Sequence, residues 1–99
     1  MKLIESKVGY VHTEYFIFDL LDEEPVLVDL KQQIDDLIVN LEGGDVLLSW
    51  DRDEWDDGQC VLLKERDNMK EISNLKCSHI LFKRRAESPV KVYLTLQRN

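Results

Sequence analysis

No stretch of this 99-residue chain approaches the run of about 20 apolar residues that a membrane-spanning helix requires. The apolar opening, MKLIESKVGYVHTEYFIFDLL, is broken by Glu5, Lys7, His12, Glu14 and Asp19 and carries no signal-peptide cleavage pattern, so a cytoplasmic location is expected. Cysteine is scarce. Cys60 and Cys77 each sit in an apolar, strand-like segment, which favours two separate buried thiols over a disulfide and gives no support for secretion. Cations are scarce through the first half: from Glu14 to Asp57, fifteen acidic residues face only Lys31 and Arg52, a net of −13. The remainder is basic. From Gly58 to the end, four acids stand against nine bases, and the whole chain sums to −7. Fields of that asymmetry speak to partners more than to fold.

With 43% hydrophobic residues and eight aromatics, the chain has the composition of a folded protein and is read as one domain over residues 1–99. Residues 2–11 and 13–20 are rich in β-branched and aromatic residues with partial two-residue alternation, giving two strands joined around Gly9 to Thr13. Pro25 breaks the pattern after Leu21. Leu27, Leu30, Ile34, Leu37, Ile38 and Leu41 then recur at three- and four-residue spacing, the period of an amphipathic helix. Asp29 would cap it with Gln32 completing a capping box, Gly43-Gly44 would end it, and Gln33, Asp35, Asp36 and Asn40 would form its polar side.

After the glycines, Val46 to Trp50 reads as a half-buried strand and Gln59 to Glu65 as its return, with Asp57-Gly58 as the turn dipeptide. Residues 67–75 could form a short second helix with Met69, Ile72 and Leu75 inward and Asp67 as its cap. Residues 76–84 and 90–97 flank AESP and read as a closing hairpin, with Val90, Val92, Leu94 and Leu96 on one face. The expected order is β-β-α-β-β-(α)-β-β. That is an α+β domain: a mostly antiparallel sheet of about five or six strands with one main amphipathic helix packed on one face.

Catalytic and cofactor signatures do not assemble. An EF-hand register that puts Gly58 at its sixth position places Trp55 at the third and Lys64 at the twelfth, where oxygen ligands are needed. Cys77 and His79 share a strand side, but only Cys60 and His12 remain to complete a zinc set. No serine or cysteine has a telling nucleophile context, and Gly43-Gly44 lacks the flanking pattern of a phosphate loop. The chain is therefore expected not to be an enzyme and to use no cofactor or metal. Lys83-Arg84-Arg85 is a basic cluster read as solvated charge blunting an edge strand, and the net negative charge argues against direct nucleic-acid binding.

What stands out is DVLLSWDRDEWDDG, residues 45–58, which carries both tryptophans and places Asp51, Asp53, Glu54, Asp56 and Asp57 around Trp55 with Arg52 as the one cation. Acidic loops often serve solubility alone. A tryptophan amid carboxylates either folds back over the hairpin or anchors an interface, where that residue type carries much binding energy. Taking the second reading, Asp51, Asp53, Glu54, Trp55, Asp56 and Asp57, aided by Asp35 and Asp36, would occlude the cleft of a basic protein partner. The strategy resembles that of barstar-like inhibitors, bacterial immunity proteins and phage proteins that imitate DNA, with no motif shared. The expected function is an immunity or antitoxin-type inhibitor of a basic toxin, most simply a nuclease. A structural or regulatory module of a larger complex is the alternative, as is a phage anti-defence protein.

Overall fold

The computed structural model describes residues 2–5, 13–52, 54–67 and 70–97, and among them it contains nine strands and no helix. The strands are β1 (Lys2–Glu5), β2 (Thr13–Leu20), β3 (Val26–Ile34), β4 (Asp36–Glu42), β5 (Val46–Trp50), β6 (Val61–Leu63), β7 (Lys70–Ile72), β8 (Cys77–Arg84) and β9 (Val90–Gln97). They form a five-stranded sheet in the order β1-β3-β8-β5-β6 and a four-stranded sheet in the order β2-β9-β4-β7. All pairs are antiparallel except β1 with β3. The α+β expectation is thus replaced by a two-sheet, sandwich-like all-β fold.

The expected main helix is β3 and β4. Val26, Val28 and Leu30 alternate inward along β3, and Leu37, Val39 and Leu41 alternate inward along β4. The two series have opposite parity. Between them Lys31 takes φ 62°, the register against β8 shifts between Asp29 and Ile34, and the chain turns at Asp35. Crossing this bulge and turn converts a two-residue period into the Leu30, Ile34, Leu37 spacing that imitates a helix. Asp29 does bond to nearby backbone, but at the bulge: its Oδ1 accepts the Lys31 N–H at 3.1 Å. Gly43 and Gly44 do adopt positive φ, 106° and 157°, in the β4–β5 turn.

The short second helix is also overturned. Lys70–Ile72 is β7, with Ile72 opposite Leu37; Met69 lies outside the described residues, as does the expected joint from Gly9 to His12. Ile72 and Leu75 still pack against the core, so these two inward positions hold although the element does not. Residues 77–84 and 90–97 are both strands, but they do not form a closing hairpin: β8 lies between β3 and β5, and β9 lies between β2 and β4 in the other sheet. A strictly alternating strand fits any antiparallel partner, so the pattern did not specify which. Their apolar faces meet across the interior instead. Val28, Leu48, Ile80 and Phe82 from one sheet share a core with Leu37, Val39, Val92, Leu94 and Leu96 from the other, and Phe18 meets Phe82 edge to face at 5.5 Å.

Candidate partner-binding loop

The loop grows out of β5, whose Leu48 faces the core and whose next residues reach the end of the sandwich where β3 also finishes. At Asp51 the backbone turns into the left-handed region, φ 62°, which Asp tolerates better than most residues. The Asp51 N–H still donates to the His79 carbonyl at 2.8 Å, so the loop's first residue is fastened to β8. β5 and β6 pair with Val46 opposite Leu63 and Leu48 opposite Val61, as a returning strand requires. The return is shorter than expected, Val61–Leu63 rather than residues 59–65, and residues 51–60 form a long connection with Asp57-Gly58 as a turn within it.

Much of the loop's negative charge is engaged within the loop. Asp56 Oδ1 accepts the Gly58 N–H at 2.9 Å, its carbonyl accepts the Gln59 N–H at 3.0 Å, and its other carboxylate oxygen lies 3.8 Å from Arg52. The Arg52 guanidinium also donates to Gln59 Oε1 at 3.1 Å. Asp57 Oδ1 accepts the Trp55 indole N–H at 2.5 Å and lies 3.8 Å from the Lys83 ammonium. Asp51 and Glu54 are exposed. Among the described residues, Asp51, Arg52, Glu54, Trp55, Asp56 and Asp57 together line one open hollow; Asp53 lies outside the described residues.

Trp55 is half-buried and does not join the interior core, whereas Trp50 packs against it. The Trp55 ring lies 5.7 Å from the Lys83 ammonium. Lys83 sits on β8 opposite Leu47, so the loop bends back over the outer face of the five-stranded sheet. Ser49 and Leu81 are cross-strand neighbours, and both are buried although neither belongs to the interior core. Ser49 lines a cavity with Arg52, Gly58, Gln59 and Cys60, which identifies the loop as its cover.

The basic cluster is therefore not on an edge strand. β8 is third of five in its sheet; Lys83 partners the loop, and Arg84 donates to the Leu21 carbonyl at 3.2 Å. Asp35 and Asp36 are not on a helix's polar side: Asp35 is the β3–β4 turn and Asp36 opens β4, at the same end of the sandwich as the loop and outside the hollow. Asp36 Oδ1 accepts the Asn74 N–H at 3.3 Å, and the Asp35 backbone joins Gln97 and Leu75.

Cys77 is buried and Cys60, the last residue of the loop, is half-buried, and both are free thiols. Burial, reinforced by the Asp51 charge, pushes the Cys77 thiol up to about 11. On the neighbouring strand, the Lys31 N–H bond holds Asp29 below the usual carboxylate range, with the charges of Lys31 and His79 in the same direction. His79 has its Nε2 3.8 Å from the Asp29 carboxylate and its Nδ1 3.2 Å from Ser78 Oγ. Sequence reasoning missed Lys83, Gln59 and Cys60 as parts of this site. Of these, the pairing of Asp57-Gly58 with the following Gln-Cys could have pointed to a self-bonded loop, whereas nothing local pointed to Lys83.

No protein-family model matches the chain, and no curated protein matches it. Among solved structures it is similar to PliG of Aeromonas hydrophila, a periplasmic inhibitor of g-type lysozyme, at TM-score 0.54 and 12% identity over 97% of this chain and 96% of that one. At that identity the likeness shows a shared fold.

Proposed function

We propose that this protein is a non-enzymatic inhibitor that blocks the cleft of a basic partner enzyme with the loop at residues 51–60. The observation that carries this reading is the loop's division of labour. Asp56 and Asp57 engage Arg52, Gly58, Trp55 and Lys83, which leaves Asp51 and Glu54 exposed on a scaffold that its own bonds hold in place. Preorganised charge speeds encounter with a basic surface and loses little ordering entropy on docking. Asp35 and Asp36, at the same end, extend the negative surface.

That PliG, a protein of the same fold, inhibits an enzyme supports an inhibitor role for this one. Two target classes fit. A toxin nuclease has the phosphate-binding cleft that the charge was read to match, and a lysozyme is the target of the fold relative. They also differ in compartment, since a cytoplasmic location suits the first and export suits the second.

The test is inhibition of a g-type lysozyme and of a basic ribonuclease by the purified chain at low and high salt. Inhibition of either, weakening as salt rises and falling roughly tenfold when Asp51→Asn and Glu54→Gln are combined, is the expected result. Failure to inhibit both classes, or inhibition indifferent to salt and to these substitutions, would refute the acidic-loop reading.

A further inference from the structure

Among the described residues, four that are not glycine adopt left-handed backbone: Lys31 with φ 62°, Asp51 with 62°, Asn74 with 60° and Lys76 with 49°. All four lie toward the end of the sandwich that carries the acidic loop, where β3, β5 and β7 finish and β8 begins. Such conformations concentrate at functional sites. Asp and Asn tolerate this region, lysine does so less readily, and glycine would take it without steric cost. Each lysine therefore stands where the backbone alone favours glycine.

Lys31 is accounted for within the molecule. Its ammonium lies 3.6 Å from Glu5 and 3.5 Å from Asp29. Lys76 is not: it is exposed, and its ammonium has no ion pair among the described residues. Its backbone is nonetheless firmly held. Lys76 ends the connection 73–76 between β7 and β8, in which the Asn74 N–H donates to Asp36 Oδ1 at 3.3 Å, the Leu75 N–H donates to the Asp35 carbonyl at 2.8 Å and the Lys76 carbonyl accepts Gln33 Nε2 at 2.7 Å. Leu75 packs against the core. The strained lysine is thus set in place and turned to solvent.

It also stands beside the acidic loop. The Asp51 N–H is bonded to the His79 carbonyl, and from His79 back to Lys76 is roughly 10 Å of extended chain. The loop's neighbouring cations Arg52 and Lys83 lie 3.8 Å from Asp56 and Asp57. Lys76 is left to flank Asp51 as a cation with no internal partner.

We propose that Lys76 is a specificity-determining contact of the inhibitory face, receiving a carboxylate on the rim of the enzyme cleft that the acidic loop covers. This deepens the inhibitor reading and rests on it. A lysine next to Asp51 repels a surface that is basic throughout and favours one in which an acid borders the cations. It narrows the set of enzymes that the loop's charge alone would admit.

The test measures inhibition of a g-type lysozyme and of a basic ribonuclease by the parent chain and by Lys76→Gly, Lys76→Gln and Lys76→Arg. Removing a cation makes the face more negative, so the acidic loop acting alone predicts tighter inhibition by the first two variants. The expected result is the reverse: inhibition roughly tenfold weaker for Lys76→Gly and Lys76→Gln, through faster dissociation, with Lys76→Arg close to the parent. Lys76→Gly is also expected to match or exceed the parent in its midpoint of thermal unfolding, which separates the loss from damage to the fold. Unchanged or tighter inhibition by Lys76→Gly and Lys76→Gln, or a lower unfolding midpoint for Lys76→Gly, would overturn the proposal and leave the inhibitor reading standing. A parent that inhibits neither enzyme would overturn both.

Discussion

Lys83 holds its ammonium 5.7 Å from the centre of the Trp55 ring, and so ties a loop between β5 and β6 to the central strand β8. The same ammonium lies 3.8 Å from Asp57, whose carboxylate also accepts the Trp55 indole N–H. Three residues far apart in charge and type thus act as one clasp.

Lys83→Met keeps the aliphatic stem and removes the charge. Because Asp57 is mostly exposed, the ion pair adds little, and the expected loss of stability is about 0.5–1 kcal/mol, chiefly from the ring contact. The larger expected effect is local: faster amide exchange at Gly58 and Gln59 and a red-shifted tryptophan emission. Unchanged exchange in the loop would show that the clasp does not hold it.

Gly43 has φ 106°, and a Cβ there would stand 2.8 Å from the Pro89 carbonyl oxygen, where the β4–β5 turn meets the crossing from β8 to β9. Gly43→Ala is expected to cost about 1–3 kcal/mol through the strained backbone and this contact. Chemical denaturation measures it directly.

The two thiols should behave differently. Cys77 is buried and raised to about 11, so at mildly alkaline pH a thiol reagent is expected to label Cys60 and to reach Cys77 only after unfolding. The folded state keeps the Cys77 proton after the unfolded chain has lost it. Stability from this group is complete below about 9 and falls as pH rises toward 11. Tyr93, raised by its bond to Glu42, adds a decline of the same sign. Cys77→Ala should therefore show a shallower fall over this range than the parent, whatever its stability at neutral pH.

Asp29 has the opposite sign. Its carboxyl is lowered from 3.8, first by the Lys31 N–H bond, so its contribution is present above that value and is lost as pH falls through the lower folded value. Asp29→Asn is expected to flatten the acid limb of the stability curve below pH 3.8. An unaltered acid limb would show that the bulge bond does not depend on the charge.

β5, β8 and β9 were legible in the sequence as apolar runs that fall where it places them, β9 by strict alternation. So was the acidic loop, because its charges and its Asp57-Gly58 turn interrupt two apolar runs. The segment from Val26 to Leu41 was not, because the bulge at Lys31 and the turn at Asp35 change the parity of the inward residues and leave helix-like spacing among leucines and isoleucines. The valines, Val26, Val28 and Val39, held the strand signal. Sheet membership was equally hidden: an alternating strand such as β9 pairs well with many partners, and long-range packing chose β2 and β4. The covering of Trp55 by Lys83 depends on that choice.

The central claim is that Asp51 and Glu54 draw a basic enzyme onto this loop. Its most direct test is the association rate with the enzyme that the chain inhibits, measured by stopped flow across a salt series, for the parent and for the combined Asp51→Asn, Glu54→Gln variant. The expected result is a variant that associates roughly tenfold more slowly at low salt, has a flatter salt dependence, and dissociates at nearly the parent rate. Equal association rates and equal salt slopes for the two proteins would contradict the claim and leave the loop's charge to solubility alone.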